Sequence, residues 1–244
     1  MTVQTGWLVM AIAAVTFCST MIGGLLAIAL KDRLHLILGF SAGAVVGVAF
    51  FDLMPEAVET GAVWGSRTIL LLCAAGFFLY TVVDRLVMLH GHGGDGHDRE
   101  HTRGVLGAGS FSMHSFLDGF AIGVGFQASR AIGFVVAVAV LVHDFSDGLN
   151  TVNVVVKHGG DRKAALRWLL LDAAAPVLGA AASLMFAFPH QAIALILALF
   201  SGFFLYIGAC DLLPESHHAH PKFLTTVATL AGAATLLFAT QVAG

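Results

Sequence analysis

The sequence predicts an all-α polytopic membrane protein with eight transmembrane helices, and two observations carry this prediction. Of its 244 residues, 58% are hydrophobic and only 11% are charged, whereas a soluble domain carries about 25% charged residues. The apolar residues also come in runs of roughly 20, the length that an α-helix needs to cross a bilayer. Residues 1–244 are therefore predicted to form a single transmembrane domain, with no separate soluble domain.

The eight predicted spans follow one another closely along the chain. They lie near residues 7–30, 35–54, 67–89, 105–128, 131–156, 164–187, 190–213 and 222–243. The connections between them are short, except for a polar segment at 90–104 that contains His90, His92, His97 and His101. We expect this segment to be a loop, which either holds metal briefly or is a solvated linker.

The distribution of Lys and Arg predicts the orientation in the membrane. With the N-terminus outside, ten of the twelve Lys and Arg residues fall on inner connections, and only Arg67 and Arg130 fall on the outer side. Cytoplasmic connections carry such an excess of positive charge. The chain is therefore expected to be a multi-pass protein of the cell (inner) membrane, with both termini outside and the segment 90–104 in the cytoplasm.

Two spans end in the same short motif. The second span ends in FFDLMPEA, which contains Asp52 and Pro55, and the seventh ends in ACDLLPES, which contains Asp211 and Pro214. Because five spans separate them, the two motifs end on opposite faces of the membrane. This pattern favours a 3+2+3 arrangement with an inverted repeat, spans 1–3 against spans 6–8, as in secondary transporters. The alternative is that each proline simply ends a helix and the acids are solvated.

The fourth and fifth spans carry ionisable side chains where they are costly. His114 and Asp118 are four residues apart in the fourth span, and His143 and Asp147 repeat this spacing in the fifth, with Asp144 between them. Residues at this spacing share one face of a helix. Ionisable groups inside the bilayer indicate function and have partners.

An antiparallel hairpin brings these residues together. With the turn near Ser129, His114 lies at the depth of His143, Asp118 lies about one turn (roughly 5 Å) toward the outside, and Asp147 a similar step toward the inside. We therefore expect a column of ligands along the seam between the two spans. Asp172 in the sixth span is a candidate for a third wall.

The ligand types point to a divalent transition metal. Imidazole combined with carboxylate suits Zn²⁺ and its first-row neighbours, whereas a Ca²⁺ cage does not need histidine. The interpretation without a metal is that the polar side chains form hydrogen bonds that hold the helices together.

At these residues the chain resembles the ZIP (Zrt-, Irt-like protein) family, prokaryotic type. HSFLDGFAIG at 114–123 is similar to the family motif H-N-x-x-[DE]-G-x-A-I-G, and HDFSDG at 143–148 is similar to H-[NED]-x-x-[ED]-G. The resemblance implies a divalent metal transporter and not an enzyme. Such a transporter would carry zinc, or else iron, manganese or cadmium, into the cytoplasm by alternating access. Its implied metal ligands are His114, Ser115, Asp118, His143, Asp144 and Asp147, with Asp172 as a candidate from the sixth span.

Three departures from the family pattern bear on the site. Ser115 stands where Asn is usual, Ala175 precedes Pro176 where Glu is usual, and Asp52 stands where the second span usually has His. If Asp172 does not replace the missing glutamate, the site holds one metal ion and not two.

Two other functions remain open at this level. An intramembrane zinc-dependent hydrolase also places His and Asp in membrane helices, although the HExxH signature is absent. A metal sensor or structural membrane protein is the weaker alternative. As partners we expect a divalent metal ion and the lipid bilayer, but no nucleic acid. A homodimer is left open, because the small-residue face AGAVVGVA at 42–49 favours helix packing either within the chain or between two copies.

Overall fold

The structure is a computed structural model that describes residues 3–27, 34–90, 96–217 and 223–243, and every regular element in these ranges is helical. The α-helices are α1 (Val3–Ala27), α2 (Leu34–Val48), α3 (Met54–Thr60), α4 (Ser66–His90), α5 (Gly96–Ala128), α6 (Arg130–Lys157), α7 (Arg162–Leu184), α8 (His190–Tyr206), α9 (Leu213–His217) and α10 (Phe223–Ala243). This confirms the all-α prediction.

Each predicted span coincides with one long helix or with two helices joined end to end. Within the described ranges, seven helical rods are long and apolar enough to cross a membrane. The predicted fourth span lies in α5, a helix of 33 residues. Its middle is less apolar because His114 and Asp118 lie there, so the polar site itself weakens the signal of a membrane span. The chain is thus a polytopic membrane protein.

The two repeated motifs share one backbone feature. A π-helical turn at Ala49–Leu53 joins α2 to α3, and another at Ile207–Leu212 joins α8 to α9. In the first, the N–H of Met54 donates to the carbonyl of Ala49, and in the second the N–H of Leu213 donates to that of Gly208. Both donors immediately precede a proline, which has no N–H and so disrupts the regular ladder of i to i−4 bonds. The prolines therefore change the hydrogen-bond register but do not end the helices.

Glycine sets how closely the helices pack. In four helix pairs, a glycine from each partner lies so close to the other helix that an added Cβ would collide with a backbone carbonyl. Small residues allow this close approach in membrane bundles. The reciprocal pairs are Gly23 with Gly148 (α1 and α6), Gly119 with Gly179 (α5 and α7), Gly43 with Gly232 (α2 and α10), and Gly76 with Gly202 (α4 and α8).

Further contacts combine these pairs into two groups, because α5 and α7 also pack against α6 and α1, and α2 packs against α8 and the π-helical turn after it; α2 also contacts α6 across the two groups. The first group, α1, α5, α6 and α7, carries all the predicted metal ligands. The second group consists of α2, α4, α8 and α10 and includes both proline motifs. The face 42–49 of α2 is almost wholly buried inside the chain, with Gly43 against Thr229 of α10. This small-residue face therefore serves internal packing and is not available for a homodimer.

The polar segment 90–104 contains more helix than we expected. Helix α4 runs to His90, and α5 begins at Gly96, so residues 96–104 form its first turns. His92 lies outside the described residues, and so do His218 and His220 after α9.

Candidate metal site

The α5–α6 hairpin aligns the two histidine motifs as predicted. Ser129 separates the helices and caps α6, since its hydroxyl accepts a hydrogen bond from the backbone N–H of Ile132 at 3.1 Å. The imidazole rings of His114 and His143 lie with their centroids 5.5 Å apart. The tight turn thus brings the two histidines to the same depth.

The four central side chains converge on one point and do not form the predicted column. His114, Asp118, His143 and Asp147 each offer one ligand atom, and these atoms all lie within 4.8 Å of one another. Oδ2 of Asp118 lies 3.2 Å from Nε2 of each histidine, and Oδ2 of Asp147 lies 3.5 Å from Nε2 of His114. The aspartate side chains bend along the helices and remove the offset between the turns.

The ring of His143 is held with one nitrogen ready to bind a cation. Its Nδ1 lies 2.9 Å from the backbone carbonyl of Ala139. A carbonyl can only accept, so Nδ1 carries the hydrogen and Nε2 of the neutral ring has a free lone pair. Metal-binding histidines are commonly oriented by such a bond from the other ring nitrogen. Nε2 of His143 therefore points its lone pair into the cluster.

Several oxygens of the site lack a donor. Within the described part of the chain, both carboxylate oxygens of Asp144 and Oδ2 of Asp147 are buried and form no hydrogen bond. The ion pairs of these carboxylates in the same ranges involve histidine and neither Lys nor Arg. A buried anionic cluster without a counter-charge is unfavourable, and a divalent cation supplies that charge. The site thus fits a metal ion with two nitrogen and two oxygen ligands.

Asp144 lies at the edge of this cluster. Its Oδ1 is 3.9 Å from Nε2 of His143, and the residue is fully buried. At this distance it acts on the cluster through its charge.

Ser115 and Asp172 form a hydrogen bond with each other, and neither contributes a ligand atom to the cluster of four side chains. The hydroxyl of Ser115 donates to Oδ1 of Asp172 at 2.8 Å, and the hydroxyl of Thr151 donates to Oδ2 at 2.8 Å. Both carboxylate oxygens therefore have donors already. This arrangement links α5, α6 and α7 behind the histidine motifs.

A cavity of about 450 Å³ connects the cluster with one end of the helix bundle. Its deep end is lined by His114 and Asp147, and its outer part by Gly107, Lys157 and His158. These last residues lie toward the start of α5 and at the end of α6, on the face where most of the Lys and Arg collect. The cluster is thus open toward that face.

The opposite side of the cluster is closed by apolar side chains. The ring of Phe120 lies 6.2 Å from the rings of both Phe188 and Phe200. Ile122 and Val140 are fully buried at the same side. Because a hydrated ion cannot pass such packing, the cluster is closed on this side by the residues that the structure describes.

Sequence reasoning missed some residues around the site. Thr151 lies one turn after Asp147 on α6, and this spacing was the available signal for its role. Tyr80 and Asp84 of α4 line the cavity, and Asp84 accepts a hydrogen bond from Tyr206 at 3.0 Å. Nothing in the local sequence around α4 indicates which of its faces meets α5 and α8.

Comparisons with known proteins identify the family of this chain. The family model described as ZIP Zinc transporter matches residues 101–240. A zinc transporter ZupT of Corynebacterium efficiens is 31% identical over 223 residues, covering 81% of this chain and 83% of the relative. A ZupT of Corynebacterium glutamicum is 30% identical over 242 residues, covering 89% and 92%. Zinc transporter ZIP10 of Danio rerio is 36% identical over 118 residues, which are 47% of this chain and 13% of that protein.

Proposed function

Because the chain belongs to the ZIP family of zinc transporters, we propose that it carries Zn²⁺ into the cytoplasm through the site between α5 and α6. The observation that carries the proposal is a buried cluster of two histidines and two aspartates at the end of a cavity that opens to one side. The chain is a divalent metal transporter and not an enzyme, and the hydrolase alternative has no support. Four converging protein ligands fill the coordination sphere of zinc, whereas a catalytic zinc keeps one position open for water.

The ligands have distinct roles in this proposal. His114, Asp118, His143 and Asp147 bind the ion, and Asp144 adds negative charge that stabilises a dehydrated dication. Asp172 and Ser115 position α5 against α7, because their side chains form a hydrogen bond with each other. The site then holds one zinc ion at high affinity, as the missing glutamate before Pro176 also indicates.

The two helix groups provide a means of alternating access. All the ligands belong to the group α1, α5, α6 and α7, while α4 and the π-helical turn that follows α8 form the opposite wall of the cavity. Movement of the first group against the second carries the ion from one face to the other. Glycine packing keeps each helix pair rigid, since the two partners of a pair contact backbone to backbone.

The two repeated motifs indicate how the outward-open state differs from this structure. Asp211 lines the open cavity, whereas its counterpart Asp52 is only 7% exposed and its Oδ2 has no hydrogen-bond partner among the described residues. Inverted repeats exchange their conformations when access alternates. We infer a 3+2+3 arrangement in which Asp52 becomes exposed to the outer vestibule as Asp211 becomes buried.

The orientation follows from charge. The cavity opens on the face that includes Lys157, and Arg162 begins the next helix on the same side. An excess of Lys and Arg marks the cytoplasmic side, so the structure is open inward. Both termini then lie outside, in the cell (inner) membrane.

Uptake into proteoliposomes tests the proposal. Vesicles containing the protein and a zinc-sensitive dye should fill with Zn²⁺, and His143→Ala and Asp147→Ala should abolish uptake while the protein remains folded. His190→Ala is the matched control, because this histidine is exposed at the start of α8, remote from the cluster. Normal uptake by both site variants would show that the cluster is not the transport site.

A further inference from the structure

A second cleft lies beside the mouth of the transport cavity, with which it shares His158, between the start of α5, the end of α6 and the start of α7. It has a volume of about 180 Å³, and its polar side chains are His158, Arg167 and Trp168. Gly104 and Gly160 also line it. An added Cβ at Gly104 would lie 3.0 Å from Cβ of His158, so the cleft exists partly because these positions lack side chains.

The cleft is cationic and faces the lipid. Arg167 is exposed, and among the side chains that the structure describes no carboxylate forms an ion pair with it. Leu171 lies one turn further along α7 on the same face and is 56% exposed. Since exposed leucines of a membrane helix contact acyl chains, the guanidinium of Arg167 lies on a surface that continues into the lipid.

The depth of the cleft matches a lipid headgroup. Arg167 follows the first residue of α7, Arg162, by five positions, which is about 7.5 Å along the helix axis. Trp168 is adjacent, and tryptophan is enriched at the level of the headgroups. Val105 and Val155 provide apolar walls beside the polar side chains.

From these observations we propose that the cleft binds the headgroup of an anionic phospholipid, with phosphatidylglycerol as the occupant. The phosphate accepts hydrogen bonds from Arg167 and from the indole N–H of Trp168. Nδ1 of His158 is bonded to the carbonyl of Val154 at 2.8 Å, so Nε2 of the neutral ring accepts from a headgroup hydroxyl. Basic pockets between membrane helices on the cytoplasmic side recognise anionic headgroups in this way. The lipid then binds the group of helices that carries the metal ligands.

Native mass spectrometry of the detergent-solubilised protein tests this proposal. Phosphatidylglycerol and phosphatidylcholine with identical acyl chains are added in equal amounts, and the lipid retained per chain is counted. We expect roughly fivefold preference for phosphatidylglycerol, the effect of one cationic side chain near the surface. Arg167→Gln should remove the preference, Arg167→Lys should keep part of it, and Trp168→Phe should weaken it.

Arg162→Gln is the matched control, because it removes the same charge from α7 without touching the cleft. Retained zinc binding shows that each variant is folded, since the metal ligands lie elsewhere. Equal retention of the two lipids by the unchanged protein would overturn the proposal, as would equal effects of Arg162→Gln and Arg167→Gln. Displacement of the lipid by millimolar inorganic phosphate would identify a soluble phosphate as the ligand and overturn the lipid assignment.

Discussion

Nε2 of His143 and Oδ2 of Asp118 lie 3.2 Å apart on neighbouring helices, and neither atom carries a hydrogen when the ring is neutral and the aspartate is ionised. The bond from Nδ1 to the carbonyl of Ala139 fixes this arrangement of the ring. Two acceptors that face each other in a buried site are unfavourable without a cation between them. This relationship is the geometric basis for assigning both residues to the proposed metal site.

Removing one of the two charges should therefore weaken zinc binding. We expect Asp118→Asn to lower the affinity for Zn²⁺ by more than about tenfold, because even changes to outer-shell partners of metal ligands have this effect. Equilibrium dialysis of the purified protein measures the affinity. Glu59→Gln, at an exposed position of α3, is the control. An affinity unchanged by Asp118→Asn would remove this residue from the ligand set.

Asp172 should affect stability more than metal binding. Thr151→Val leaves one buried oxygen of Asp172 without its donor, which we expect to destabilise the protein by about 1–3 kcal/mol. Thr151→Ser keeps the hydroxyl and should retain most of the stability. Denaturant unfolding in detergent measures the difference, and zinc titration should give one ion per chain in all three proteins. If the unchanged protein binds two zinc ions tightly and Asp172→Asn loses one of them, Asp172 is a metal ligand.

The orientation can be tested with a native cysteine. Cys210 lines the cavity, whereas Cys73 is buried and Cys18 lies on an exposed position of the apolar helix α1. We expect a membrane-impermeant maleimide to label the protein in inside-out vesicles but not in right-side-out vesicles. Cys210→Ser should abolish the labelling. Labelling in right-side-out vesicles would show that the orientation inferred from the Lys and Arg residues is wrong.

The exchange between the repeats can be followed at Asp52. In a variant without native cysteines, Asp52→Cys should be unreactive toward an external thiol reagent while the protein is open inward. Conditions that favour the outward-open state should raise its reactivity and lower that of Asp211→Cys. If the two positions change in the same direction, the inverted-repeat mechanism is wrong.

Glycine packing predicts a difference between two substitutions of the same kind. Gly43→Ala places a methyl group against the backbone carbonyl of Thr229, so we expect destabilisation by about 1–3 kcal/mol from overpacking. Gly109→Ala meets only Trp168, with 3.8 Å to the nearest atom, and should be neutral or slightly stabilising. Thermal unfolding in detergent compares them. Equal stability of the two variants would show that α2 and α10 can separate at little cost.

Much of the fold could be predicted because the membrane imposes it. Eight apolar runs, their short connections and the turn at Ser129 are visible without coordinates, since backbone groups in lipid must bond within the helix. The spacing of His114 with Asp118 and of His143 with Asp147 also places each pair on one helix face. Helix boundaries were less predictable. Pro55 and Pro214 looked like helix ends, but each lies just after a π-helical turn.

The details of the site could not be predicted, because they depend on side-chain directions and on helices distant in sequence. Depth matching placed Asp118 and Asp147 one turn to either side of the histidines, yet one ligand atom of each lies within 4.8 Å of the histidine nitrogens. Ser115 has an oxygen that suits a metal, yet it donates to Asp172 because α7 lies against α5.

The sequence by itself determined that this protein crosses the membrane many times and carries two histidine motifs at matching depth. Periodicity and hydropathy are local properties, and the bilayer converts them directly into helices. The tertiary structure alone decided which acceptors remain without donors, how the helices divide into two groups, and toward which face the cavity opens. These properties depend on contacts between helices far apart along the chain, where one glycine or one hydroxyl changes which atoms meet.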